Sequence, residues 1–263
     1  MNKNCVRVLC IGDVFGRPGR RIIKEKLPEL IAERSIDFVV ANGENAAGGK
    51  GLNQKCADEL FAAGVDVLTN GNHLLDNKDI IPMLEIDQRL LRPWNMKDSV
   101  PGRGFTVIKK QGVPFAVANF MGTILMHHQE SPFAKLDQHV AMLQDQAKVC
   151  IVDMHAEATS EMRVMGHYLN GKVSVVFGTH THVPTADHEI LDQGTAYITD
   201  VGMTGPYDSV IGVKKEFAMH RIMTGERNGY EVAKDNVKLF GLLCEIDPDT
   251  GKTVRIEQIK VGL

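Results

Sequence analysis

The chain has 263 residues, 43% of them hydrophobic and 24% charged, enough for one α/β domain over 1–263 whose core needs no covalent staples. Its formal net charge of −3 excludes a global basic field of the kind that draws in long nucleic acid. An anionic small molecule would need a local positive site, which bound metal can supply.

Five cysteines (Cys5, Cys10, Cys56, Cys150 and Cys244) are odd in number and include no Cys-x-x-Cys pair, so they read as free thiols of a reducing compartment. The apolar run Val6–Ile11 is too short for a signal-peptide core, and no stretch could span a membrane. The expectation is a cytoplasmic protein.

In chain order, Val6–Ile11 predicts a buried strand ending at Gly12-Asp13. Gly16-Arg17-Pro18-Gly19 then turns into a helix carrying Ile22, Ile23, Leu27, Leu30 and Ile31, with Pro28 a possible kink. Asp37–Ala41 predicts a second strand, followed by Asn42-Gly43-Glu44-Asn45, the glycine-rich loop Gly48–Gly51 and a helix near 54–63. Val65–Thr69 predicts a third strand, ending in Asn70-Gly71-Asn72-His73. Lys148–Asp153 leads to His155, and Val173–Phe177 leads to His180 and His182. The last third reads as β-rich, with strands expected over 189–191, 196–199, 237–246 and 253–259, while 120–137 is the least regular stretch. Strands alternating with helices indicate an α/β fold whose ligands bind beyond the carboxyl ends of the strands.

Those ends carry the chemistry. Five of them present Asp13, Glu44-Asn45, Asn72-His73, His155 and His180-x-His182. Singly each is weak: an aspartate after a strand is usually a turn residue, Asn-Gly is a common turn, and a lone histidine is usually a satisfied core or surface residue. Together they would bring carboxylate, amide and imidazole donors to one sheet edge, a mixture that suits iron, manganese or zinc. A glutamate between two such sets can bridge two ions, and ions roughly 3.5–4 Å apart can clamp a phosphoryl group and activate a bridging water. His180 and His182 can both reach one cluster only if the backbone leaves strand geometry between them.

The series Gly12-Asp13-Val14-Phe15, Asn42-Gly43-Glu44-Asn45, Gly71-Asn72-His73, His155 and Gly178-Thr179-His180-Thr181-His182 resembles the calcineurin-like metallophosphoesterases. Phe15 stands where that superfamily usually has a metal histidine, and Glu44 where it has a bridging aspartate. Both departures, with the runs 12–20, 42–49, 153–161, 178–187 and 199–206, resemble the YmdB-like branch. The resemblance implies a four-layer α/β/β/α sandwich and two metal ions, iron first, with manganese, magnesium or zinc as alternatives. One ion would take Asp13, Glu44, Asn45 and His182, the other Glu44, Asn72, His155 and His180, with Glu44 bridging. His73 would be the proton donor, and the substrates cyclic nucleotides, chiefly 2′,3′-cyclic nucleoside monophosphates, opened by a bridging hydroxide.

Asp76 is expected either to orient His73 or to cap a helix near Asn77. Arg17 and Arg20 could grip phosphate near Asp13 or face solvent, and Met203–Ser209 could touch substrate or a neighbouring subunit. His127-His128 reads as a solvated pair, and the loop at 48–51 lacks the full phosphate-loop pattern of nucleoside-triphosphate sites. A phosphomonoesterase or protein phosphatase on the same cluster, or a slow cyclic-nucleotide or RNA-end sensor, are the competing functions. Homo-oligomerisation is expected on general grounds.

Overall fold

A computed structural model of the chain describes residues 5–126 and 130–263; His127 and His128 lie outside the described residues. The elements run β1 (Val6–Ile11), α1 (Gly16–Arg34), β2 (Phe38–Asn42), α2 (Gln54–Ala62), β3 (Val67–Thr69), two 3-10 turns and α3 (Ile81–Ile86). They continue with β4 (Phe105–Lys110), β5 (Val113–Met121), α4 (Leu136–Gln144), β6 (Val149–His155), α5 (Thr159–Leu169), β7 (Val175–Thr179), β8 (Glu189–Ile190) and β9 (Ala196–Ile198). The chain closes with β10 (Gly205–Pro206), α6 (Lys215–Thr224), β11 (Val237–Ile246) and β12 (Thr253–Gly262).

Two six-stranded sheets result, ordered β10-β11-β1-β2-β3, with β12 also on β11, and β4-β5-β6-β7-β9-β8. The strand groups β1-β2-β3 and β5-β6-β7-β9 are parallel, with antiparallel strands at the edges. The period-2 alternation of each strand feeds two layers of core. Val8, Cys10, Phe38 and Val40 face inward and meet Phe115, Val117, Ile151 and Phe177 of the other sheet. Phe38 and Phe115 stack at a centroid distance of 4.3 Å. Leu9, Ile11, Val39 and Ala41 face outward into the core that also holds Ile22, Ile23 and Leu27 of α1 and Leu60 of α2. The result is the expected α/β/β/α sandwich.

Several boundaries differ from the expectation. β6 runs on to His155, so this imidazole is the last strand residue rather than part of a following loop. α1 passes through Pro28 without ending, with Pro28 on its exposed face. The β4–β5 hairpin is not legible in the sequence as a strand pair; its two-residue turn is Gln111-Gly112, both at positive φ (51° and 87°), the type I′ pattern in a less common residue pair. The β-rich last third also contains α6, none of whose residues is buried. The irregular stretch is shorter than expected, since Phe120 and Met121 belong to β5 and α4 starts at Leu136.

One crossing holds the two sheets in relation to each other. The segment Thr199–Gly202 passes over the ends of β1 and β7 so closely that a Cβ on Gly12 would lie 1.7 Å from the Gly202 oxygen, and one on Gly178 would lie 1.6 Å from the Thr199 oxygen. Both obstacles are backbone and cannot swing aside. Gly12→Ala should therefore destabilise the fold by about 3 kcal/mol or more, read as a lower denaturant midpoint at unchanged m-value; a midpoint equal to wild type would show that this crossing is loose.

Candidate active site

The crossing sits beneath the strand ends that carry the candidate residues. Asp13, Glu44, Asn45, His155 and His182 are buried there. Donor atoms gather in two sets.

In the first set, His182 Nδ1 donates to the Ile211 oxygen (3.0 Å), so that in the neutral ring Nε2 carries the lone pair. That lone pair faces Asn45 Oδ1 at 3.3 Å and Asp13 Oδ1 at 4.0 Å. The Asn45 amide is turned so because its Nδ2 donates to the Gly49 oxygen. Asp13 Oδ1 is buried with no hydrogen-bond partner. Three acceptors thus converge with no proton between them, an arrangement that buried polar groups avoid unless a cation joins them.

In the second set, His155 Nε2 lies 3.0 Å from Asn72 Oδ1, 3.1 Å from Glu44 Oε1 and 3.1 Å from His180 Nδ1. Ligating atoms of Glu44, His155 and His180 all fall within 4.8 Å of one another, close enough for one metal ion. The contacts of Glu44 lie with this second set and with the backbone N–H of His73, which donates to Oε2 at 3.0 Å. Gly71 passes so close beside them that a Cβ there would meet His155 Nε2 at 2.2 Å and Glu44 Oε2 at 2.5 Å.

The backbone does leave strand geometry after β7. His180 has φ 107° and His182 φ 66°, conformations that cost a non-glycine residue about 1–3 kcal/mol each. Three contacts hold them. Asp13 Oδ2 accepts the His180 N–H at 3.0 Å, Asp200 accepts both the N–H and the hydroxyl of Thr181, and the Met203 N–H donates to the His182 oxygen.

The electrostatics pull the imidazoles apart. Burial opposes charge on His155, but Glu44, Asp13 and Asp153 around it outweigh burial and push its pKa up to about 9. Burial also opposes charge on Glu44, yet His155 and His73 hold its carboxyl down at about 2. Burial and the neighbouring His155 drive His180 down to about 3. His180 is therefore neutral, its Nε2–H donating to Glu157 Oε2 at 3.1 Å and its Nδ1 lone pair turned to the cluster.

Four polar residues that the motif reading left without a role complete the site from behind. His155 Nδ1 donates to Thr179 Oγ1 (2.9 Å), and that hydroxyl donates to Asp153 Oδ1 (2.8 Å). Asn42 and Thr69 also donate to Asp153. Such outer partners fix the tautomer of a ligating histidine. A carboxylate directly after the apolar run Val149–Val152, as Asp153 is in β6, was the available signal. Glu157 and Asp200 lie within family-like runs but stand out by no spacing of their own.

His73 lines a pocket of about 460 Å³ together with Phe15, Glu44, Asn45, His180 and His182. Its Nδ1 pairs with Asp76 Oδ2 at 2.8 Å, and Asn77, not Asp76, caps the next turn by accepting from the Asp79 N–H. The orienting reading of Asp76 is the one that fits. Phe15 packs edge-on against His182 at 5.4 Å between centroids, so it braces a candidate ligand. Arg20 does not grip phosphate: it is held by Glu59 and the Ala46 carbonyl. Arg17 lines a different cavity. Met203–Pro206 is buried and backs the site, with Thr204 N–H donating to the Asp13 oxygen. The loop at 48–51 folds onto Asn45 and forms no phosphate loop.

Two facing sheets with acidic, amide and imidazole donors at their parallel strand ends define the metallophosphoesterase class, and the donor set suits divalent metal. Within that class the chain belongs to the family described as YmdB-like protein, whose model matches residues 9–259. It is 43% identical over 257 residues to the 2′,3′-cyclic-nucleotide 2′-phosphodiesterase of Bacillus subtilis (strain 168), covering 98% of this chain and 97% of that protein. Two solved structures are similar throughout. A hypothetical protein from Thermus thermophilus has a TM-score of 0.91 at 40% identity, covering 98% of this chain and 99% of that one. A phosphatase from Mycoplasma pneumoniae has a TM-score of 0.92 at 37% identity, covering 98% and 94%. A 5′-nucleotidase precursor from Thermus thermophilus shares the fold at a TM-score of 0.58 and 13% identity, with 98% of this chain on 54% of that one.

The raised pKa of His155 gives a signed prediction. In the metal-free protein its charge stabilises the fold fully below the unfolded value near 6.5, and that contribution is lost as pH rises through about 9. A metal ion needs Nε2 deprotonated, so its affinity should rise about tenfold per pH unit up to about pH 9. The melting midpoint of metal-free protein should fall from pH 6.5 to 9 while metal affinity climbs, with about one proton released per chain on metal binding at pH 7.5 in calorimetry. Proton release near zero would mean that His155 is already neutral or does not ligate.

Proposed function

We propose that the chain is a metal-dependent phosphodiesterase that opens 2′,3′-cyclic nucleoside monophosphates in the cytoplasm. The observation that carries the reading is the convergence of Asp13 Oδ1, Asn45 Oδ1 and His182 Nε2, three acceptors with no donor among them, beside the second donor set around His155. The likeness to a cyclic-nucleotide phosphodiesterase over almost the whole chain supports the substrate class.

In this reading Asp13, Asn45 and His182 would hold one ion and Asn72, His155 and His180 another, with Glu44 shared between the two sets. Iron is our first choice of metal. Bound there, the ions supply Lewis acidity to the phosphoryl group and lower the pKa of the attacking water.

The chain's own groups do the remaining work. Glu157 accepts the His180 Nε2–H and so keeps the Nδ1 lone pair aimed at the cluster. The Asp153–Thr179 relay keeps the His155 Nδ1 proton in place, so that only Nε2 is offered. His73 has Asp76 on Nδ1, which orients the ring and leaves Nε2 free to serve the ribose oxygen that leaves phosphorus. Its exposure of 28% at the pocket wall suits a group that must be reprotonated from solvent.

His73→Ala separates this role from ligation. Both ions should remain bound, and turnover of 2′,3′-cyclic AMP should fall by roughly 10²–10⁴. A nitrophenyl phosphodiester, whose leaving group needs no proton, should lose far less. Equal losses on both substrates, or loss of metal, would remove His73 as the proton donor. A wild-type enzyme that turns over phosphoserine peptide but no cyclic nucleotide would overturn the reading as a whole.

A further inference from the structure

A second cavity, of about 510 Å³, lies beside the catalytic pocket. It is lined by Arg17, Arg21, Lys234, Pro18, Val232 and Val237, together with Gly48. Three cations face it, and no acidic side chain lines it. Arg17 and Lys234 are exposed, and neither is in an ion pair among the described residues. Arg21 is shared with Glu25 on its own helix.

The wall between the two cavities is about one residue thick. Gly48 lines the basic groove, while Gly49 and Lys50 line the catalytic pocket. On the opposite side Val232 lines the groove and Val213 the pocket, and these two are paired as an isolated β-bridge. The Tyr230 hydroxyl rests so close to Gly49 that a Cβ there would lie 2.1 Å from it. The Tyr230 ring, with Lys50 Nζ 5.6 Å from its centroid, is 43% exposed on the crest. A chain of anionic groups leaving the catalytic pocket would cross an aromatic face and descend into a cationic trough with an apolar floor. Single-stranded nucleic acid is bound in this manner, with phosphates on cations and bases on aromatic faces.

We infer that the groove is a binding site for the phosphodiester backbone of RNA, and that the enzyme acts on RNA strands ending in a 2′,3′-cyclic phosphate as well as on free cyclic mononucleotides. This rests on the phosphodiesterase reading of the catalytic pocket. The terminal cyclic phosphate occupies the pocket, Tyr230 stacks a base, and the phosphates on the 5′ side pair with Arg17 and Lys234. The chemistry is hydrolysis and balances without a co-reactant. Water oxygen bonds to phosphorus, one ring P–O bond breaks, the ribose oxygen takes up a proton, and the strand is left with a terminal phosphomonoester. The overall charge of −3 is consistent with a grip on a few nucleotides and not with coating of long strands.

The test compares 2′,3′-cyclic AMP with a tetranucleotide ending in 2′,3′-cyclic phosphate, using metal-loaded wild type and the R17A/K234A double variant. Wild type should have the higher kcat/KM on the tetranucleotide, and that advantage should shrink as salt rises. The double variant should lose about tenfold on the tetranucleotide and less than twofold on 2′,3′-cyclic AMP, with an unchanged melting midpoint. Fluorescence anisotropy with a labelled tetranucleotide carrying a 3′-phosphate should show the same loss in binding. Equal kcat/KM on the two substrates in wild type, or equal losses on both in the variant, overturns the groove while leaving the phosphodiesterase reading intact. A wild type inactive on both substrates overturns the reading and the groove together.

Discussion

The structure turns on burying acid. Asp13, Glu44, Asp153 and Asp200 are almost wholly withdrawn from water around one point between the sheets, and a buried charge that is not paired is strongly destabilising. The protein meets part of this with a single charged imidazole, His155, and with a set of hydrogen-bond donors: Asn42, Thr69 and Thr179 on Asp153, and Thr181 and Gly202 on Asp200. Burial and the nearby Asp13 still push Asp200 up to about 8, and one oxygen of Asp13 has no partner at all. The unpartnered Asp13 oxygen, with the Glu44 carboxylate nearby, is the physical reason why this place suits a cation.

The same demand shapes the backbone. His180 and His182 adopt positive φ, and the strain is offset by hydrogen bonds from the turn to Asp13 and Asp200. Asp200 is in turn seated by the close crossing of Thr199–Gly202 over Gly12 and Gly178. Core packing, strand-end glycines and donor geometry are therefore one construction. Phe15 belongs to it as well. It is buried between Gly49, Gly205 and Gly212, whose missing Cβ atoms would each come within 3 Å of its side chain, and its ring braces His182. This apolar residue tightens the wall, and the amide of Asn45 faces His182.

Much of this is legible in the sequence, for a specific reason. Buried parallel strands are short apolar runs, and a polar cluster directly after such a run has to sit at the sheet edge. Asp13, Glu44, Asn72, His155 and His180 can be grouped on that basis. Less can be said where burial is absent or where partners are distant in sequence. α6 buries nothing, so no periodicity marks it. Asp153 and Glu161 act through tertiary hydrogen bonds, the latter accepting from Thr123 and Ile124, and no local pattern predicts such a bond. Arg20 passes for a phosphate ligand in the sequence because its partner, Glu59, lies 39 residues away on another helix. The groove formed by Arg17 and Lys234 joins residues from opposite ends of the chain and cannot be seen in either neighbourhood alone.

The central claim is that this acidic centre works by holding two cations together. The most direct measurement is a titration of metal-free protein with ferrous iron under anaerobic conditions, following bound metal per chain and hydrolysis of 2′,3′-cyclic AMP in the same samples. The account predicts little activity at one equivalent, a rise between one and two, and a plateau once two ions are bound per chain. Full activity at one ion per chain, or activity that does not depend on added metal, would contradict it.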